Sequence, residues 1–436
     1  MYKTNRELLN RIVAVVFAIS FIAIMNPYFL WSGYRGGIFS ASGIPVLKLI
    51  YVLTIIAGII FVANNSKISG DRFKLFVFLF IDMFVLVFVC GGRLLYLSDI
   101  NLSTFLNFLI VGLFCLLPDY MKKMIYQYCL LFFVISIIPG IIYSILTFFG
   151  VNLSMETITA SSVIKQNNYV TYLHWPFAVQ ISKTYDLFGN LNRFRLCGIY
   201  DEPGRVGTIS ALFLAAEKYE FKKKWKNIVL LIGGILTLSL AFFLMIGIGE
   251  IIKLFKEKKT KQALIILLAI FAFFVFLKID FTNVAISSFQ QRFAITTSGL
   301  AGYNRTDSLF DSIFSSYLKD SDIFSLLFGN GDGTIYKLVT EAGIGTASSY
   351  KCLIYDFGFL GTLLYLLWII FYSYIYLLKN KSFSTFIMIN VLMILCTIYQ
   401  RPNMFNPSYI IIPLCAISMY TIKENETELP DSNYVY

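Results

Sequence analysis

The sequence predicts an all-α polytopic integral membrane protein with about 12 transmembrane helices, two large outward-facing loops and a single membrane domain over 1–436. Three observations predict it. Apolar residues make up 58% of the 436 and charged residues only 14%, with a mean hydropathy of +0.73; a soluble domain sits near 45–50% apolar and about 25% charged. Apolar runs recur along the chain, several of them near the roughly 20 residues that a helix needs to cross a bilayer. Polar residues collect instead in two long stretches, 150–205 and 280–357.

The apolar runs fall at 12–30, 47–63, 74–90, 102–117, 124–149, 206–217, 228–240, 240–252, 263–279, 358–378, 383–399 and 408–422. Met1–Arg11 is basic and Ile12–Leu30 is long enough to span, with no small-residue cleavage site after it, so this run reads as a first helix and not as a signal peptide. The 228–252 segment is either one helix or two short ones folded at Thr237-Leu-Ser239. Flanking charge decides between them. Glu217–Lys226 and Lys253–Lys261 each carry five basic residues, which places both on the cytoplasmic side. An even number of crossings must then separate them, and the broken hairpin brings the total to twelve. With the N-terminus inside, and with charges near the ends of a run counted in the adjoining segment, the inner segments hold 21 Lys/Arg and 11 Asp/Glu and the outer ones 14 and 13, while Lys48 and Asp82 fall within spans. The net charge of +11 is therefore a signal of topology. It does not read as a nucleic-acid footprint, which would be a basic patch on a soluble face. Both long loops lie outside, and 423–436 is a short, acidic cytoplasmic tail.

Several chemistries are excluded. One histidine, His174, leaves no multi-histidine metal site. Neither a phosphate-binding Gly-x-x-x-x-Gly-Lys loop nor a Gly-x-Ser-x-Gly elbow is present. Gly329-Asn-Gly331-Asp-Gly333 has the wrong spacing for a dinucleotide fingerprint and reads first as a flexible turn, with phosphate contact by its backbone as the alternative. Of seven cysteines, five sit in apolar runs; Cys197 and Cys352 both fall in outer loops, so a disulfide between them is open.

Candidate chemistry gathers in the loops. The first ends in Arg193-Phe-Arg195-Leu-Cys-Gly198-Ile-Tyr-Asp201-Glu202-Pro203-Gly204-Arg205, and the second adds Arg292 and Arg305. Guanidinium forks bind phosphate oxygens bidentately and keep their charge. Arg195 and Arg205 flank a Pro-Gly turn ahead of a helix whose N-terminus carries partial positive charge, an arrangement suited to a diphosphate at the membrane surface. The plainer reading is that these arginines snorkel or pair with carboxylates. Asp201 and Glu202 read either as a general base for an attacking hydroxyl or as a helix cap and a partner for Arg195. Asp82, inside the third run, is a functional candidate as an intramembrane charge, with a pair to Lys48 as the structural alternative. His174 reads as loop packing.

Arg195-Leu-Cys-Gly198 followed by Asp201-Glu202-Pro203-Gly204 resembles the signature of the O-antigen polymerase/ligase superfamily. Further along come Arg305-Thr-Asp307 opening an amphipathic helix, Leu327-Phe-Gly329-Asn-Gly331, and Tyr355-Asp-Phe-Gly358-Phe-Leu-Gly361, in the order that superfamily shows. Leu236–Ser239 also resembles its short helical hairpin. Ligases of the superfamily place a histidine in the second loop before the next span. Here that stretch reads Thr346-Ala-Ser-Ser-Tyr350-Lys-Cys-Leu, which points away from ligase and towards polymerase; the arginine-to-glycine spacing of some polymerases is also missing. The resemblance implies a glycosyltransferase of the bacterial inner membrane, with both termini cytoplasmic. It would pass a glycan from undecaprenyl diphosphate to a hydroxyl on a lipid-linked repeat unit at the outer face, with inversion. Diphosphate leaves without protonation, so no metal, nucleotide or other cofactor is expected. Arg195 and Arg305 would neutralise the diphosphate, supported by Arg193, Arg205 and Arg292, and Asp201 or Glu202 would act as base, beside the turns at Gly198, Pro203, Gly329 and Gly331. Partners would be the lipid-linked oligosaccharide, the bilayer, a chain-length regulator and a flippase. An O-antigen ligase and a repeat-unit flippase or other transporter are the alternatives; a transporter would show two similar halves and polar groups at mid-membrane.

Overall fold

A computed structural model of the chain describes residues 2–31, 43–64, 68–92, 101–149, 156–159, 171–183, 195–221, 224–276, 308–341, 349–380, 384–402 and 404–425, with short pieces at 151, 279, 290, 295–296 and 299–300. Each of the apolar runs overlaps a helix. The helices before the first loop are α1 Tyr2–Ile24, α2 Gly43–Asn64, α3 Gly70–Met83, α4 Leu102–Leu116 and α5 Asp119–Phe148, and those between the loops are α6 Pro203–Ala216, α7 Trp225–Leu236, α8 Leu240–Lys256 and α9 Thr260–Phe276. The second loop contributes α10 Ser308–Asp320, α11 Ile323–Phe328 and α12 Thr334–Glu341; α13 Tyr350–Asn380, α14 Thr385–Gln400 and α15 Pro407–Asn425 follow. Among the described residues, four helices are long and apolar enough to cross a membrane: α1, α2, α5 and α13. The chain is a helical, membrane-embedded protein. In α1 the buried residues Val13, Ala14, Phe17, Ala18 and Phe21 recur at helical spacing, while Leu8, Ile12 and Ile19 on other faces are exposed. An apolar residue is stable on both faces only where the outer one meets lipid.

The centre of the body is α6. Every residue of it except Arg205 is buried, and it packs on α7, α8, α14 and α15. Small residues (Gly204, Gly207, Thr208, Ser210, Ala211, Ala215) allow these neighbours to approach closely. The expected break in 228–252 is present: α7 ends at Leu236, Thr237-Leu-Ser239 turns, and α8 begins at Leu240. Thr237 donates through Oγ1 to the Gly234 carbonyl at 2.6 Å and accepts from the Ser239 amide at 3.3 Å. The turn lies so close to Gly207 that a Cβ there would overlap Thr237 and Ser239.

The loops hold more structure than an all-α reading expects. In the first, β1 Glu156–Thr159, β2 Thr171–Trp175 and β3 Ala178–Lys183 form an antiparallel sheet in the order β1-β2-β3, and two-residue strands at Ile295–Thr296 and Gly299–Leu300 pair in the second. The sheet is seated on the end of α1: Tyr172 lies 4.8 Å from Trp31 and His174 4.7 Å from Tyr28, ring centre to ring centre. His174 thus packs its ring on Tyr28. Cys197 and Cys352 are both buried, the first in the main core and the second with Phe310, Phe314 and Tyr317, and the disulfide left open by the sequence is not formed. Helix α15 runs to Asn425, beyond the start expected for the tail at 423; 426–436 lies outside the described residues.

The 327–331 turn packs on α13 through its main chain. Its backbone is spent on α13: the Asn330 amide donates to the Tyr355 carbonyl at 2.9 Å and the Gly331 amide to the Asp356 carbonyl at 2.8 Å. The Asp356 carboxylate in turn accepts from the Gly333 and Ile335 amides, both at 3.1 Å, which caps α12. Gly329 (φ +72°) and Gly358 (φ +68°) face each other across this contact, and a Cβ on either would overlap the other segment's backbone. Gly358 interrupts α13 with a left-handed, extended residue that is open essentially only to glycine. Gly358→Ala is expected to cost at least the roughly 1–3 kcal/mol of such strain and to lower the thermal unfolding midpoint in detergent. Gly70→Ala, whose added Cβ meets nothing, should leave that midpoint in place.

Candidate functional site

Four chain segments meet at the start of α6. The end of α1 arrives with Met25, Asn26 and Pro27. The first loop returns through Arg195–Glu202, held by main-chain bonds from Tyr28 to the Ile199 carbonyl at 2.8 Å and from Val179 to the Gly198 carbonyl at 2.7 Å. The last two arrivals are the end of α14 and the start of α15, joined by a short link through Arg401. Glu202 is the residue that starts α6, with an extended backbone, and Pro203 follows at the first helical position, where its missing amide proton costs nothing.

The two carboxylates are sorted by this geometry. Glu202 makes no cap with its side chain; it accepts two bonds from Arg401, Nη1 to Oε2 at 2.9 Å and Nη2 to Oε1 at 2.6 Å. Asp201 pairs with Arg205 at 3.5 Å and accepts from Asn26 Nδ2 at 3.3 Å, while its carbonyl accepts from the Tyr172 hydroxyl at 2.6 Å. Arg205 also donates to the Met25 carbonyl at 2.7 Å, tying α6 to the end of α1. Burial works against the charge of Arg401, but the Glu202 carboxylate, with Tyr409 and Asp201 beside it, outweighs that and holds the guanidinium above its ordinary pKa. The result is a pair of adjacent carboxylate–guanidinium couples at the mouth of a buried helix.

The candidate residues distribute unevenly around it. Asp201, Glu202, Pro203 and Arg205 are brought together, and Gly198 lies in the supporting turn, packed against Gly140 of α5. Arg195 is buried, and its Nε donates to the Thr237 carbonyl at 2.8 Å, which places its cation at the C-terminal end of α7. Among the described residues the carboxylates are met by Arg205 and Arg401, and Glu202 caps no helix amide with its side chain. Gly329 and Gly331 belong to the interlock with α13. Arg193, Arg292 and Arg305 lie outside the described residues. Asp82 is fully buried, its oxygens meet no hydrogen-bond donor among the described residues, and it forms no ion pair with Lys48.

Sequence reasoning missed Arg401, along with Tyr409 and Asn406, which share its cleft with Tyr365 and Thr397. The available signal was a lone arginine in Gln400-Arg401-Pro402, a polar link between two apolar runs. Comparison with known proteins returns no matching family model, no similar curated protein and no similar solved structure.

Arg401 is almost wholly buried and Glu202 is about one-third exposed. Arg401→Met is therefore expected to cost about 3 kcal/mol, the low end for breaking a buried pair, in denaturant unfolding of the detergent-solubilised chain. Lys259→Met, in the largely exposed pair with Glu257, should cost less than about 1 kcal/mol.

Proposed function

We propose that this chain is a membrane glycosyltransferase that polymerises oligosaccharide repeat units, taking a glycan carried on a lipid diphosphate, of the undecaprenyl type, as donor and a lipid-linked repeat unit as acceptor. The observation that supports the reading best is the couple of carboxylate–guanidinium pairs, Asp201–Arg205 and Glu202–Arg401, where the first long polar segment runs into α6. A glycosyl transfer from diphosphate needs a group to take the acceptor's proton and cations to receive the leaving charge, and this cluster supplies both. In this reading the chain crosses a bacterial inner membrane twelve times, with both termini cytoplasmic and both long loops outside. The acceptor hydroxyl attacks the anomeric carbon with inversion, Asp201 or Glu202 takes its proton, and diphosphate leaves onto guanidinium groups without metal or cofactor. Arg205 and Arg305 carry that charge, with Arg193 and Arg292 beside them; Arg195 contributes by fixing the end of α7 under the site. A flippase that delivers repeat units and a chain-length regulator are its partners.

The test is a gel of surface and lipid-linked polysaccharide from cells with and without the protein. Loss of long chains while single units are still made and attached is the expected outcome. Long chains stranded on lipid would make the protein a ligase, and units trapped on the inner face would make it a flippase. Among variants, the more important of Glu202→Gln and Asp201→Asn should cut polymer formation by roughly 10²–10⁴-fold. Arg305→Lys should recover only part of what Arg305→Ala loses, since the bidentate fork is gone.

A further inference from the structure

Two buried donors beside the ion pairs have no acceptor. Arg401 Nε and the Tyr409 hydroxyl are shielded from solvent and form no hydrogen bond among the described residues; Arg401 is 7% and Tyr409 6% exposed. Both line one small cleft between α13, α14 and the start of α15, with the guanidinium carbon 5.9 Å from the centre of the Tyr409 ring. A buried donor left without an acceptor is unfavourable, so the cleft is built to receive one.

The surroundings narrow what that acceptor is. Asn406 Oδ1 already accepts twice from Ser408, from its amide at 3.0 Å and its hydroxyl at 2.6 Å, and the Thr397 hydroxyl is spent on the Met393 carbonyl at 2.8 Å. A sugar hydroxyl or an amide would bring a proton into a place already rich in donors. An oxyanion oxygen brings lone pairs alone, and one of the waiting donors is permanently cationic. Arg205 Nε, on the neighbouring pair, is a third buried donor without a partner. The two carboxylates and two guanidinium groups sum to zero formal charge, so an arriving anion competes with Glu202 for Arg401.

We propose that Arg401 and Tyr409 form a subsite for a phosphate oxygen, filled at the expense of the Glu202–Arg401 pair. The subsite deepens the polymerase reading by naming where diphosphate is gripped and by linking its arrival to release of the Glu202 carboxylate. The anion is either the headgroup of a lipid diphosphate or free phosphate.

The experiment is equilibrium binding of radiolabelled farnesyl diphosphate, inorganic pyrophosphate and farnesol to the full chain in nanodiscs. Farnesyl diphosphate should bind, Arg401→Lys and Tyr409→Phe should each weaken it about tenfold or more, and Glu202→Gln should tighten it by removing the competitor. Tyr409→Phe deletes a hydroxyl that no described protein group accepts, so its fold is preserved. Pyrophosphate binding as tightly as farnesyl diphosphate supports the subsite with free phosphate as its ligand; binding of the lipid form alone supports it with the headgroup. The proposal is overturned if neither phosphate compound binds, if farnesol binds equally well, or if both variants bind like wild type. Polysaccharide on gels is read separately: phosphate binding with normal chain length in the same variants would sink the polymerase reading and leave the subsite standing.

Discussion

A carboxylate that opens a wholly buried helix must find a cation, and Glu202 finds one 199 residues further along the chain, in Arg401. Much of the molecule is arranged around that requirement. Helix α6 can be buried along nearly its whole length because its surface is apolar or small and its one large polar side chain, Arg205, lies in the first turn, where Asp201 and the Met25 carbonyl receive it. The pair to Arg401 then draws the link between α14 and α15 over the same end. The first loop, the end of α1 and the last two helices are thus held together by charge at one rim of a body whose interior is apolar.

Placement of the glycines follows from the same economy. Gly207 lets the Thr237–Ser239 break press against α6, and the break exposes a carbonyl that Arg195 caps. A discontinuous helix is tolerated in a membrane-embedded protein where neighbouring groups satisfy the backbone it frees. Here an arginine from the first loop does so, which couples the position of that loop to the body beneath it.

Which parts were legible in the sequence depends on the range of the interaction. Apolar runs declare their helices because lipid and protein interior ask for the same residue types. The break after Leu236 was readable because reading the lysine clusters on both flanks as lying on one side called for an interruption in 228–252, and α7 does end there. Asp201 and Glu202 stood out beside Pro203 and Gly204 because local turn chemistry places carboxylates there. The bond from Arg195 to the Thr237 carbonyl was not legible, since it joins residues 42 apart in the chain. Arg401 was invisible as a partner, since nothing near residue 400 speaks of residue 202. The sheet escaped notice because strands of four to six residues in a polar loop carry little periodic signal.

The interlock between Gly329 and Gly358 has a consequence for variation. The second loop is fastened there through main-chain atoms, with amides from Asn330 and Gly331 given to carbonyls of α13. Such a joint asks for glycine at two positions and little of the side chains around them. The loop is free to exchange much of its surface, and with it whatever it recognises, while keeping its anchorage on the body unchanged.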